Sequence, residues 1–363
     1  MNIYFLPIFL LALLFSMCLT NIVRHHAIRK TILDIPNERS SHQVPIPRGG
    51  GVSIAIVSCL SILTLGFLNF LEPRLVLALA GGGILVAAIG YGDDVYSIKV
   101  RWRFLVHFIA SSWAIYWLGG FPILDLGSIK LSLHWIGSFF AVTGIIWCIN
   151  FYNFMDGIDG LAGAEGVFIG IAASIPLYIA GEYHLAFLLW ILSAAIAGFL
   201  VWNWPPAKIF MGDTGSGFLG FIFAVIALYT VNQSFVPAAF WLIIMGVFAS
   251  DATFTLIHRI YKKKSWYIAH REHAYQHLVS LGINHLRVTL SILFFNLFIL
   301  CPIALTSIYW PQYTIWFISI TMISLWLLWF GIRACSRSLG SRDKIFANSR
   351  QISGIFNENS RKF

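Results

Sequence analysis

Charged residues are scarce in this chain. Asp, Glu, Lys and Arg make up 11% of its 363 residues, where a soluble globular protein carries about a quarter. That deficit excludes an ordinary water-facing surface over most of the chain. Cysteine is sparse too. Cys18, Cys59, Cys148, Cys301 and Cys335 are scattered, with no C-x-x-C pair, so neither a disulfide framework nor a zinc site is expected. Four of them lie in apolar runs, where small-residue packing is the default role. No basic segment precedes the first apolar run and no A-x-A site follows it, so the run reads as a retained span and not a cleaved signal. No folded polar domain is present to bind nucleic acid, despite a net charge of +9.

What is abundant is apolar sequence. Hydrophobic residues reach 58% and mean hydropathy is +0.79. Runs near the roughly 20 residues that a bilayer span needs recur at about 3–23, 50–70, 75–92, 104–119, 135–152, 164–181, 184–202, 215–231, 236–256, 288–308 and 312–332. The weakest is 104–119, which is short and carries His107. The expectation is an all-α, polytopic membrane bundle of about eleven helices. Residues 1–333 form the membrane unit, with loops 24–49, 93–103, 153–163, 203–214 and 257–287 on one side. Residues 334–363 follow as a basic tail, surface-associated or disordered. Of the 24 Lys and Arg, all but Arg74 and Lys130 fall in those loops or after the last apolar run. The positive-inside rule then gives N-out, C-in, and the net charge becomes contact with anionic lipid.

The acids are distributed unevenly. Glu72, Asp125 and Glu182 belong to short outer loops, whereas the others collect at the basic side. Asp93 and Asp94 end the third run in G-Y-G-D-D. Asp156 and Asp159 stand in N-F-Y-N-F-M-D-G-I-D-G-L-A-G, residues 150–163. Asp213 stands in M-G-D-T-G, and Asp251 near the inner end of the ninth run. Carboxylates at this depth are costly unless they face a wet cavity or a partner. The flanking glycines let backbone turn tightly or approach a ligand. Oxygen ligands without neighbouring Cys suit a hard cation, Mg²⁺ or Mn²⁺. The spacing is not that of an EF-hand. Together these features suggest a site for a metal and a diphosphate.

Two basic loops would complete it. P-R-G-G-G, residues 47–51, reads either as a Pro-stiffened loop with Gly before a span or as a turn that brings Arg48 and backbone N–H groups to a phosphate. In H-R-E-H-A-Y-Q-H, His270, His273 and His277 share one face if helical. With Arg271 they look like an anion-binding cluster. The string is not H-E-x-x-H, so a zinc-protease reading fails.

These motifs, P-R-G-G-G (47–51), G-D-D (92–94), N-x-x-D-G-x-D-G-L-A (153–162), F-M-G-D-T-G-S (210–216) and H-R-E-H (270–273), occur in an order that resembles the polyprenyl-phosphate N-acetylhexosamine-1-phosphate transferases, the MraY- and WecA-type enzymes. The histidine segment is most similar to the WbpL-type branch, which starts O-antigen or capsule-type glycans. In the WecA-type pattern a third Asp follows the pair by three residues; here that residue is Ser97.

The resemblance implies transfer of a sugar 1-phosphate from a UDP-N-acetyl sugar to undecaprenyl phosphate at the cytoplasmic face of the bacterial inner membrane, releasing UMP. N-acetyl-fucosamine or N-acetyl-quinovosamine is the first expectation for the sugar, and N-acetylglucosamine the alternative. The resemblance further implies Asp213 and Asp156 as Mg²⁺ (or Mn²⁺) ligands and Asp93, Asp94, Asp156 and Asp159 as catalytic residues. It implies His42, Arg48, Asn153, Lys208, His270, Arg271, His273 and His277 as substrate-binding residues. A homodimer is left open. A secondary transporter is the distant rival, but it would carry its charges at the midplane. A flippase or scaffold with a decayed site is opposed by intact Asp93, Asp94, Asp156 and Asp213.

Overall fold

A computed structural model describes residues 5–36, 44–125, 130–265 and 270–359, the backbone alone beyond Ser338. Every apolar run is helical. The helices are α1 (Phe5–Arg29), α2 (Gly51–Phe67), α3 (Pro73–Tyr96), α4 (Val100–Leu118), α5 (His134–Phe154), α6 (Leu161–Ile179), α7 (Tyr183–Asn203) and α8 (Gly212–Asn232), followed by α9 (Ala238–Ile244), α10 (Gly246–Tyr261), α11 (Ala274–Ser280), α12 (His285–Phe295), α13 (Cys301–Tyr309) and α14 (Thr314–Asn359). Strand structure is confined, among the described residues, to two-residue antiparallel pairs. One of these, β1 (Leu33–Asp34) with β2 (Ile46–Pro47), bears on the site.

Among the described residues, eight helices are long and apolar enough to cross a membrane, and nine if the α9–α10 pair is one span. The run at 236–256 departs from expectation. It is two helices bent by 74°, with the break at Met245 just before Gly246, a poor helix residue. The run at 50–70 is a 17-residue helix, and α4 starts earlier than expected, taking in Arg101 and Arg103. The span at 288–308 contains a π-helical turn, Asn296–Leu300, between α12 and α13. Pro302 follows directly. Its missing N–H and its ring disfavour a regular α turn there. The tail is not irregular up to Asn359, because α14 continues through it.

The bundle is centred on α8. Inside the protein lie 78% of its span window and 72% of those of α6 and α7, against 17% for α1 and α14, which present most of their surface outward. Small residues let the inner helices meet backbone to backbone, the usual device where apolar surface gives no net drive to associate. A Cβ on Gly51 would fall 2.2 Å from Gly215 Cα, and one on Gly90 2.6 Å from Asp213 O. These approaches bring the start of α2 and the end of α3 onto the first turn of α8.

Candidate functional site

The site is built where those three helix ends meet. Asp94, in the last turn of α3, is buried, and it caps α8 from outside. Its Oδ1 accepts from Asp213 N at 3.0 Å, and its Oδ2 from Thr214 N at 3.2 Å and Thr214 Oγ1 at 2.7 Å. An anion at the exposed N–H groups of a helix start is favourable. Gly212 makes the geometry feasible. It has φ +77°, and a Cβ there would lie 2.5 Å from Asp94 Oδ2. Arg48 Nη2 adds a salt bridge to Asp94 Oδ1 at 3.0 Å and lies 3.8 Å from Asp213 Oδ1. Burial works against the Arg48 charge, but the Asp94 and Asp213 carboxylates outweigh it and hold the guanidinium above its usual range.

Asp93 and Asp213 converge on one atom. Arg103 Nη1, from the first turn of α4, is 2.6 Å from Asp93 Oδ2 and 2.5 Å from Asp213 Oδ2. Asn153, near the end of α5, donates to Asp213 Oδ1 at 2.9 Å and to Ser216 Oγ at 3.0 Å. Asp156, in the loop after α5, is half-buried and receives a backbone bond from Gly212. Burial first, and then the charges of Asp213 and Asp94, push its carboxyl well above the usual range.

Backbone hydrogen bonds stitch the P-R-G-G-G loop to the F-M-G-D segment. Phe210 N donates to Pro47 O at 2.8 Å, Gly50 N to Phe210 O at 2.9 Å and Gly51 N to Met211 O at 2.9 Å. Of the residues expected from sequence, Asp93, Asp94, Asp156, Asp213, Arg48 and Asn153 are therefore brought together.

Others are not in this cluster. Asp159 turns the opposite way from Asp156. Its Oδ2 accepts from Ala207 N at 3.0 Å, and its Oδ1 is 3.3 Å from His285 Nδ1. Lys208 lies over the Trp202 ring at 5.5 Å. His42 lies outside the described residues.

The histidine segment docks beside the cluster. Tyr275 is buried, and its hydroxyl donates to Phe154 O at 3.0 Å, above Gly157, where a Cβ would collide with it at 2.0 Å. Asp251, from α10, accepts from Ala274 N at 2.8 Å and Tyr275 N at 3.3 Å, capping α11. His273 is buried, with Nδ1 3.6 Å from Asp251 Oδ1. Its ring stacks on that of His270, with centroids 5.0 Å apart.

Burial, then the charge of His273, pushes His270 down to about 4. Burial and then Arg333 push His277 down as well. Near pH 7 they are neutral imidazoles that offer hydrogen bonds, and the exposed Arg271 carries positive charge. Glu272 sits below its usual range. Burial opposes this, but a hydrogen bond from Lys264 and the charges of Arg259, Lys264 and Arg333 prevail.

Sequence reasoning missed Arg103 and the ion pairs around Glu272. Arg103 stands in K-V-R-W-R, close after G-D-D. That proximity was the available signal, although the run also served as topology charge.

The donor set suits a hard divalent cation. The carboxylates supply oxygen only, and Arg103 Nη1 shows that one cationic atom fits between Asp93 and Asp213. Among the described residues no three His, Cys, Asp or Glu side chains form a complete cage. Magnesium, however, commonly takes one or two carboxylates plus substrate phosphates and water.

Comparison with known proteins identifies the family. The profile of glycosyl transferase family 4 matches residues 76–231. A Bacillus subtilis protein named as a probable undecaprenyl-phosphate N-acetylglucosaminyl 1-phosphate transferase is 30% identical over 334 residues, covering 90% of both chains. An Escherichia coli K12 undecaprenyl-phosphate alpha-N-acetylglucosaminyl 1-phosphate transferase is 29% identical over 70% of both. A Mycolicibacterium smegmatis decaprenyl-phosphate N-acetylglucosaminephosphotransferase is 28% identical over 75% of both. The acidic helix ends and the length of these matches lead to one conclusion: the chain belongs to glycosyl transferase family 4, among the MraY- and WecA-type enzymes.

Proposed function

We propose that this protein transfers an N-acetylhexosamine 1-phosphate from its UDP-sugar to undecaprenyl phosphate, releasing UMP, at the cytoplasmic face of a bacterial inner membrane. The observation that carries the reading is the convergence of Asp93 and Asp213 on Arg103, with Arg48 alongside. Alternating acids and guanidinium groups can receive a diphosphate and its counter-cation at one point. The orientation consistent with this is N-out and C-in, with eleven spans counting α2, α4 and the bent α9–α10 pair.

The attacking lipid phosphate has a second pKa near 6, so it is largely dianionic at neutral pH and needs little help from a base. The barrier lies in joining two anions and supporting the departing UMP, and fixed positive charge answers it. Arg48 and Arg103 supply that charge from opposite sides of Asp213. Asp94 holds Arg48 and the start of α8 in place. Asn153 fixes the rotamer of Asp213. Mg²⁺ or Mn²⁺ would be held by Asp213 and Asp156, and when bound it supplies Lewis-acid charge to the diphosphate. His270 and Arg271 are placed by this reading against the sugar or nucleotide.

The relatives favour N-acetylglucosamine as the sugar. Ser97 favours the second reading, N-acetyl-fucosamine or N-acetyl-quinovosamine, because it stands at an exposed left-handed helix end where a third acid is expected. Membranes containing the enzyme, given undecaprenyl phosphate and a panel of UDP-N-acetyl sugars, should form a lipid diphosphate-sugar identifiable by mass. Absence of any such product, with UDP-sugars intact, overturns the proposal.

Asp156→Asn separates stability from activity. A carboxyl whose folded pKa is raised by burial costs stability at every pH above its unfolded pKa, in full once the folded pKa is passed. Removing the charge should therefore raise the melting temperature of metal-free enzyme near neutral pH. UMP release should fall, by about a hundredfold. A variant that melts lower and turns over normally contradicts both halves.

A further inference from the structure

The C-terminal helix offers an unexpected contact. α14 presents most of its surface outward, yet Arg333, where its apolar part gives way to the basic tail, is only 5% exposed. An Arg at the end of a membrane helix ordinarily reaches for water. This one turns inward. Its guanidinium packs over the Trp329 ring at 4.7 Å, and its Nη1 donates to the backbone carbonyl of Glu272.

Glu272 has two nearer cationic partners. Its carboxylate already meets Arg259 at 2.5 Å and Lys264 at 2.9 Å, while Arg333 Nη2 stands at 3.6 Å. What Arg333 adds is a hold on the main chain between Arg271 and His273. One turn further along α14, Ser336 Oγ lies 3.1 Å from His277 Nδ1. The same helix face thus grips both ends of the histidine segment.

We infer that Arg333 is a positioning residue: with Ser336 it clamps residues 271–277 in the place from which they bind the UDP-sugar. This rests on the reading of that segment as a substrate-binding element, and the test keeps the two apart. Purified full-length enzyme carrying Arg333→Met, Arg333→Lys or Arg271→Ala is assayed with UDP-N-acetylglucosamine and undecaprenyl phosphate, each varied in turn. Arg333→Met should raise KM for the UDP-sugar about tenfold, the size of one lost charged hydrogen bond. kcat and KM for the lipid should stay within about twofold. Arg333→Lys should restore part of the loss.

A fall in kcat with unchanged UDP-sugar KM, or equal rises in both KM values, overturns the inference. If Arg333→Met does not accumulate, Ser336→Ala and Arg333→Lys carry the test. Each should raise the same KM by about threefold, and no change in both overturns the clamp. Hydrogen exchange over residues 271–280 reads the clamp without turnover. It should quicken in Arg333→Met or, failing that, in Ser336→Ala, and unchanged exchange overturns the clamp. Arg271→Ala tests the underlying reading alone: unchanged UDP-sugar KM there removes the substrate role of the segment, and the exchange result still decides the clamp.

Discussion

Asp213→Asn should lower UMP release by about a thousandfold or more, the scale on which charge at a phosphoryl-transfer centre acts. Besides Asp93, four groups meet this carboxylate or its backbone. Arg103 and Asn153 bind its oxygens, Arg48 lies within ion-pair range, and its own N–H is held by Asp94. Replacing the charge with an amide leaves Arg103 with Asp93 alone and presents an N–H₂ to one of the remaining donors. The fold should survive, because Asp213 keeps its backbone bond. The measurement is UMP release by purified enzyme in Mg²⁺, alongside melting with and without the metal. Wild-type enzyme should melt higher in Mg²⁺, and the variant should lose that increment. Full activity in Asp213→Asn would sink the metal assignment.

Asp94→Asn should be damaging in another way. Both oxygens of Asp94 are in use, with three donors on the first turn of α8 and Arg48 beside them. An amide keeps one acceptor and turns a donor toward groups that are themselves donors. Leaving a buried charged hydrogen bond unmade costs about 2–3 kcal/mol. The melting temperature should fall by several degrees, and activity by at least about a hundredfold, because Asp213 loses its fixed position. Asp94→Glu should not restore either, since the contact at Gly212 has no room for an added methylene. Wild-type melting and turnover in Asp94→Asn would refute this account.

Much of this was legible in the sequence. Apolar runs near bilayer length announce spans, and every one of the eleven is helical. Carboxylates beside glycine, in a chain that otherwise avoids charge, marked the helix ends that now meet at α8. What stayed hidden depends on direction and burial. Asp156 and Asp159 are three residues apart in one turn, and nothing in D-G-I-D-G says that the first faces Asp213 and the second Ala207 and His285. Arg103 serves Asp93 and Asp213 from a different helix, a pairing that only the packing of α3, α4 and α8 creates. Histidine spacing gave the docking of 270–277 no charge state; enclosure beside Arg259 and Arg333 does. The bend at Met245 was invisible because both halves of the run are apolar.

The three backbone bonds between residues 47–51 and 210–211 have a mechanical meaning. They tie two loops far apart in the chain into one stiff piece, so Arg48 and the first turn of α8 travel together or not at all. The opposite side is held differently. Arg103 reaches the centre from α4 through its side chain alone, which can swing without unravelling a helix. Under the proposed function, room for the substrates is therefore expected to open on the Arg103 side, with the stitched loops as its anvil.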